Sequence, residues 1–233
     1  MLPVNTRTVQ MATIFQSDSG ARRAAVALLL AIAIGALLPA GGVRAAATGP
    51  VTLQSGTVTL ALSAGVYDKL TRSTRGAYPD TRSLTAINPG TNTAAGLFAF
   101  PLSHGEVDPI ALTGTAASHG GIRFDSVSQN PAAGQSSTVQ FELTGFALEL
   151  SSSPAALTAT FRGTTTYHDI PIASLIETSV HSRTQGRNVT LTGFGLKLLA
   201  SGAQLFNQQA YNNQSHRFKV GQSVGTVTLA AVR

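Results

Sequence analysis

Val51-Thr52-Leu53, Val58-Thr59-Leu60-Ala61-Leu62 and Val227-Thr228-Leu229 alternate apolar and polar residues with a period of two, the repeat of a strand that buries one face. The same pattern recurs in Leu97 to Leu102, Ile122 to Phe124, Val139 to Leu150, Leu157 to Phe161, Ile170 to Ile176 and Val189 to Leu198. Gly, Pro, Ser and Asn divide these runs. Many short strands separated in this way predict an all-β domain, an antiparallel β-sandwich or open barrel. Two stretches have helical spacing instead. Ser63 can cap a helix with Val66 and Leu70 on one face, and Ser201 to Tyr211 sets Leu205 and Phe206 in a Gln- and Ala-rich run. Both are expected as short helices across a sheet end or edge.

One pattern occurs twice. Leu143-Thr144-Gly145-Phe146-Ala147-Leu148-Glu149-Leu150 resembles Leu191-Thr192-Gly193-Phe194-Gly195-Leu196-Lys197-Leu198. In each, the apolar parity switches at the Thr-Gly pair: Val139, Phe141 and Leu143 are odd, while Phe146, Leu148 and Leu150 are even. One extra residue at each Gly restores a common inward face, which predicts β-bulges near Gly145 and Gly193. The segment from Thr71 to Ala95 has few apolar residues and a turn at Asn88-Pro89-Gly90, and is expected as a long loop. Asp108-Pro109 reads as the turn of a hairpin joining Phe98–Val107 to Leu112–Ser118, with His104 opposite a residue near Thr115.

The first residues do not fit this domain. Arg7, Arg22 and Arg23 precede an apolar run over residues 24–40, and small residues follow at Ala45-Ala46-Ala47. Residues 1–47 are therefore expected as a signal peptide for Sec export, cleaved near Ala45 or Ala47, with residues 48–233 as a single β-rich domain. Left uncleaved, the leader would be a membrane anchor. The expected location is secreted or cell envelope. Without the leader, four of the 16 basic residues and one of the 10 acids are gone, which halves the formal charge of +6. The remaining Arg and Lys are scattered without aromatic interleaving, so no nucleic-acid partner is expected.

Composition narrows the chemistry further. Charged residues make up 11% of the chain, less than half the roughly 25% usual for soluble domains, so Thr, Ser, Gly, Gln and Asn must cover the surface. The absence of Cys excludes disulfides, thiolate metal sites and cysteine nucleophiles. His104 and His119 each sit in a Ser-His-Gly triplet, too far apart on the hairpin to share a metal. His168, His181 and His216 have no ligand spacing, and no metal site is expected. A nucleophile elbow needs an α/β sheet that this sequence does not build, and Glu142 and Glu149 fall on solvent-facing strand positions. No catalytic residue is assigned and no enzyme activity is expected.

The run Gly96-Leu97-Phe98-Ala99-Phe100-Pro101, then Gly105-Glu106-Val107-Asp108, Thr113-Gly114-Thr115 and Gly120-Gly121-Ile122-Arg123-Phe124 resembles the central hairpin of the HtaA-type domain of secreted and cell-surface proteins. The resemblance implies a haem-binding domain of bacterial iron acquisition, with a Tyr phenolate on the iron and a supporting His. It makes haem the expected cofactor, and haem, a haem-carrier protein or envelope components the expected partners. That family's Trp-Gly falls on Ala64-Gly65 here, its Tyr near Ser73, and its His after Phe124, where this chain has Asp125-Ser126. The pair carried over is Tyr67 and His119, as cofactor-binding residues.

The leading expectation is thus an exported, non-enzymatic ligand-binding or cell-surface β-protein. A structural or adhesive envelope protein with no small-molecule site is the alternative, and a secreted hydrolase the third. Haem binding requires a Tyr and a His converging on one apolar crevice. Adhesion requires an exposed apolar patch.

Overall fold

The computed structural model describes residues 49–71, 80–130, 135–177, 180–211 and 217–233. Tyr78, His216 and residues 1–48, which include the expected leader, lie outside these residues. All-β architecture is what the alternation produces. The strands are β1 (Val51–Leu53), β2 (Ser55–Leu62), β3 (Asp80–Ile87), β4 (Thr91–Ala94), β5 (Leu97–Asp108), β6 (Thr113–Ser118) and β7 (Gly121–Asn130). They continue with β8 (Gln135–Glu149), β9 (Ala156–Arg162), β10 (Thr166–Ile176), β11 (His181–Gln185), β12 (Asn188–Leu198) and β13 (Ser223–Val232). The two expected helices are α1 (Ala64–Thr71) and α2 (Ala200–Tyr211).

Every described ladder is antiparallel. Eight strands close into a barrel in the order β5, β2, β13, β12, β10, β9, β8, β6 and back to β5. Closure depends on β6, six residues of Thr, Gly, Ala and Ser that bond β5 on one side and β8 on the other. Its small side chains let the two longer strands approach, and Ala116 is fully buried between them. The hairpin turn is set by Asp108, whose Oδ1 accepts from the amides of Ile110 at 2.8 Å and Ala111 at 2.9 Å. A register shift places His104 opposite Ala117, two residues beyond the expected partner.

The barrel interior is filled by Phe98, Phe100, Phe194, Leu148, Leu191 and Leu229, all at or near zero exposure. Each buried side chain of this size contributes about 1.5–3 kcal/mol relative to exposure. Both predicted bulges are present: the β8–β9 register shifts between Thr144 and Ala147, and the β12–β13 register between Leu191 and Phe194. Gly145 and Gly193 occupy them with φ of 60° and 86°. A Cβ at Gly145 would meet no atom within 4 Å, so only its left-handed backbone resists substitution. Gly145→Ala is expected to cost about 1 kcal/mol in denaturant unfolding, and Gly145→Asn a fraction of that, because Asn tolerates this conformation.

The expected loop between Thr71 and Ala95 is corrected by β3 and β4. β3 pairs with β7 over its whole length, from Asp80↔Ser128 to Ile87↔Gly121. It is an outermost strand with one neighbour, and of its residues Leu84 is buried and Ala86 packs against the core, with Ile87 at its end. That thin stripe hides the strand in the sequence. β3, β7 and the first half of β8 form a wing that continues the barrel wall beyond the closed ring.

α1 is fixed where it leaves β2. The amide of Leu62 donates to the Gly96 carbonyl at 2.8 Å and that of Ser63 to the Val224 carbonyl at 2.9 Å, before Ser63 accepts from Val66 and Tyr67. α2 begins against β10, with the Leu199 amide on the Ile172 carbonyl at 3.0 Å and the Ser201 hydroxyl donating to the Pro171 carbonyl.

Candidate functional site

Between the wing and the two helices lies a cavity of about 50 Å³. Its walls are Val66 and Leu70 of α1, Leu84 of β3, Ile122 and Phe124 of β7, Phe141 and Leu143 of β8 and Phe206 of α2, with barrel residues such as Leu60 and Leu198 beneath. Each strand arrives with its inward parity, and each helix with the face its i, i+4 spacing dictates. Every lining side chain is apolar.

Aromatic rings run through this wall as a chain. Phe124 and Phe141 stack at 4.9 Å between centroids, Phe141 meets Phe161 at 5.7 Å and Phe206 at 6.5 Å, and Phe206 meets Phe218 at 5.2 Å. Lys69 closes the helix side. Its Nζ donates to the Arg217 carbonyl at 3.0 Å and lies 5.6 Å from the Phe218 ring centre. Asn207, a buried residue of α2, donates to the Phe218 carbonyl at 2.9 Å and accepts from its amide at 3.0 Å. Sequence reasoning singled out Leu205 and Phe206 here and missed Asn207, which ties α2 to the chain entering β13.

Tyr67 stands on α1 between the two lining positions, one residue after Val66 and three before Leu70. It is half-buried, and its ring packs over Gly96, where an added Cβ would come within 3.3 Å of the ring. His119 lies in the connection from β6 to β7. Ser118 before it is buried, its hydroxyl donating to the Phe146 carbonyl at 2.9 Å, while the His119 amide donates to Pro101 and its side chain is exposed. The following Gly120 abuts Gly90. Gly90 and Gly96 flank the two ends of β4, a backbone span of over about 10 Å. Tyr67 and His119 are therefore held at opposite ends of one strand, and no described contact joins them.

The other polar candidates occupy structural places. His104 is exposed with its Nδ1 3.1 Å from the Ser103 hydroxyl; His168 and His181 are exposed on β10 and β11. No group of three or more His, Asp or Glu comes together among the described residues. Glu142 stands in register with Arg123 and Arg162 on the outward face of the wing. The described exposed large apolar residues, Ile110, Tyr167 and Val220, lie on three separate segments.

The cavity fits part of what a haem site needs. Its aromatic and aliphatic walls suit a porphyrin face, and Tyr67 offers a phenol on the same helix as Val66 and Leu70. No iron-ligating side chain lines the cavity itself.

No protein of curated function matches this sequence. Among solved structures, that of the haem-binding protein HtaB from Corynebacterium glutamicum superposes with a TM-score of 0.54 at 12% identity, covering 79% of this chain and 96% of that one. The C-terminal domain of HtaA from the same organism gives a TM-score of 0.52 at 12% identity, covering 78% of this chain and 98% of that one. These likenesses establish a shared fold. The profile of the HtaA family (Htaa) matches residues 71–216, from the end of α1 to the segment before Arg217. That is more than half of the sequence, and the chain belongs to the HtaA family.

Proposed function

We propose that this protein is an exported, non-enzymatic haem-binding protein of iron acquisition, and that haem enters between the wing and the helices. The observation that carries the reading is the wholly apolar, Phe-walled cavity under α1 and α2 in a chain of this family. Sites for molecules of drug size span roughly 300–1,000 Å³, far more than the cavity holds, so binding requires α1 or α2 to lift from the wing. Local opening of a single helix costs less than global unfolding. Haem, if bound, would supply an iron that a phenolate oxygen could hold. Tyr67 is the residue proposed for that role. α1 carries it beside the lining, and rotation of its ring off Gly96 would turn the phenol toward the opened cleft. His119, at the far end of β4, has no part in holding that phenol.

Residues 1–47, with their basic start and apolar run, support export through the Sec pathway to the envelope or beyond it. Haem itself, or a haem-carrier protein presenting it, is the partner this reading requires.

Haemin titration of the purified protein, followed in the Soret band, tests it. Saturable one-to-one binding is expected, weakened about tenfold by Tyr67→Phe and unchanged by His119→Ala. Loss in Tyr78→Phe instead would move the ligand off α1. Weak, non-saturating uptake insensitive to all three changes would overturn the haem reading.

A further inference from the structure

We infer that Tyr167 is the outer stacking residue of the ligand site, holding the edge of a flat aromatic ring system that stays outside the cover of α2. The inference rests on the haem reading and deepens it by naming the ring on which the ligand's exposed edge lies. One rung crosses the inner face of five strands: Ala86 of β3, Ile122 of β7, Leu143 of β8, Phe161 of β9 and Tyr167 of β10 are paired in turn. Directly paired residues in an antiparallel ladder share a face. Ile122 and Leu143 line the cavity, so Tyr167 lies on the continuation of that surface. Phe161 beside it has no exposure, whereas Tyr167 is 52% exposed. α2 begins against Pro171 and Ile172, four and five residues further along β10, and the inner surface emerges from beneath the helix at Tyr167.

Rings lead from the cavity to this point without a break. Phe124, Phe141, Phe161 and Tyr167 follow one another at 4.9, 5.7 and 6.0 Å between centroids, with planes inclined by 26°, 40° and 29°. The first two line the cavity, and the last reaches solvent. Rings at such separations attract through offset stacking, and the exposed part of Tyr167 is left for one further plane. The backbone of β10 is bent to keep it inward. Between Tyr167↔Phe161 and Ile170↔Ala159, three steps of β10 face two of β9. Regular pairing back from Ile170 would put His168 on the inner face and turn Tyr167 outward. The extra residue reverses that, and Asp169 takes a left-handed φ of 51° within the bulge, a conformation that costs a residue other than glycine free energy. Bulges of this kind re-aim side chains beside binding sites. Covering Phe161 needs only an aliphatic side chain, whereas a flat ring with a polar rim suits a flat partner at a wet edge.

Two porphyrins test this on the whole protein: haemin, read in the Soret band, and iron-free protoporphyrin, read by fluorescence. Each is titrated into the wild type, Tyr167→Phe, Tyr167→Leu, Tyr167→Ala and Tyr67→Phe, with folding checked by circular dichroism and thermal midpoint. Tyr167→Leu and Tyr167→Ala are expected to weaken both porphyrins about fivefold, the scale of one aromatic pair, while Tyr167→Phe binds as the wild type does. Tyr67→Phe should weaken haemin alone, because protoporphyrin brings no iron. Four results would overturn the stacking role and leave the haem reading standing: unchanged binding in Tyr167→Ala, full binding in Tyr167→Leu, equal loss in Tyr167→Phe, or weakening of haemin without protoporphyrin. If haemin does not bind the wild type, the haem reading fails, and protoporphyrin or, failing that, the dye anilinonaphthalene sulfonate decides on Tyr167. Binding kept in Tyr167→Phe and weakened in Tyr167→Leu and Tyr167→Ala then upholds the stacking residue, and any other result overturns it.

Discussion

Phe141→Ala is expected to destabilise the protein by about 4 kcal/mol, within the range for removing a fully buried aromatic ring. Phe141 is 3% exposed and is the ring at which the wing, the barrel wall and α2 meet, touching Phe124, Phe161 and Phe206. Its loss removes the transfer energy of the ring and also enlarges a cavity that already exists beside it, so collapse cannot refill the space. The midpoint of urea unfolding, with the slope checked for constancy, measures the effect. A loss below about 1 kcal/mol would mean that α2 settles into the gap, and that the helix is less firmly seated than its contacts imply.

Asn207→Leu, a change of similar volume, is expected to cost about 3 kcal/mol. It deletes two hydrogen bonds and leaves the Phe218 amide and carbonyl without the partner they have in the fold. An unsatisfied buried group costs about 1–3 kcal/mol. Hydrogen exchange separates this cause from a packing effect: the Phe218 amide should lose protection ahead of the barrel amides. The same variant should admit haemin faster, since the bond pair ties down the helix that covers the cleft. Uptake at the wild-type rate, with Phe218 unprotected, would place the entrance on the α1 side.

The strands of the barrel were legible because burial on one face writes itself into the sequence with a period of two. Even the bulges were visible, since the parity of Val139, Phe141 and Leu143 gives way to that of Phe146, Leu148 and Leu150 across Gly145. β3 escaped because an outer strand with one partner packs only Leu84 and Ala86 against the core, and its Asp, Thr, Ser and Arg residues look like those of a loop. Closure escaped for a different reason. Nothing in Thr113 to Ser118 says that this short strand bonds two neighbours, because pairing across long separations is a property of register and not of local pattern. The same holds for the site. Leu84 and Phe124, which both line the cavity, lie 40 positions apart in the sequence, and only the β3–β7 ladder sets them opposite each other. Tyr67 and His119 came from a likeness of motifs, which carries no distance, and β4 separates them.

The last described strand of the ring also governs when the fold can exist at all. β13 is a stave between β2 and β12, and its pairing Val232↔Ser55 joins the two ends of the described chain. Until β13 has been synthesised, β2 lacks one neighbour and the ring has a gap through its hydrophobic interior. Topologies dominated by such distant pairings acquire structure slowly. A growing chain of this sequence therefore keeps its ring open until β13 is available to pair with both β2 and β12.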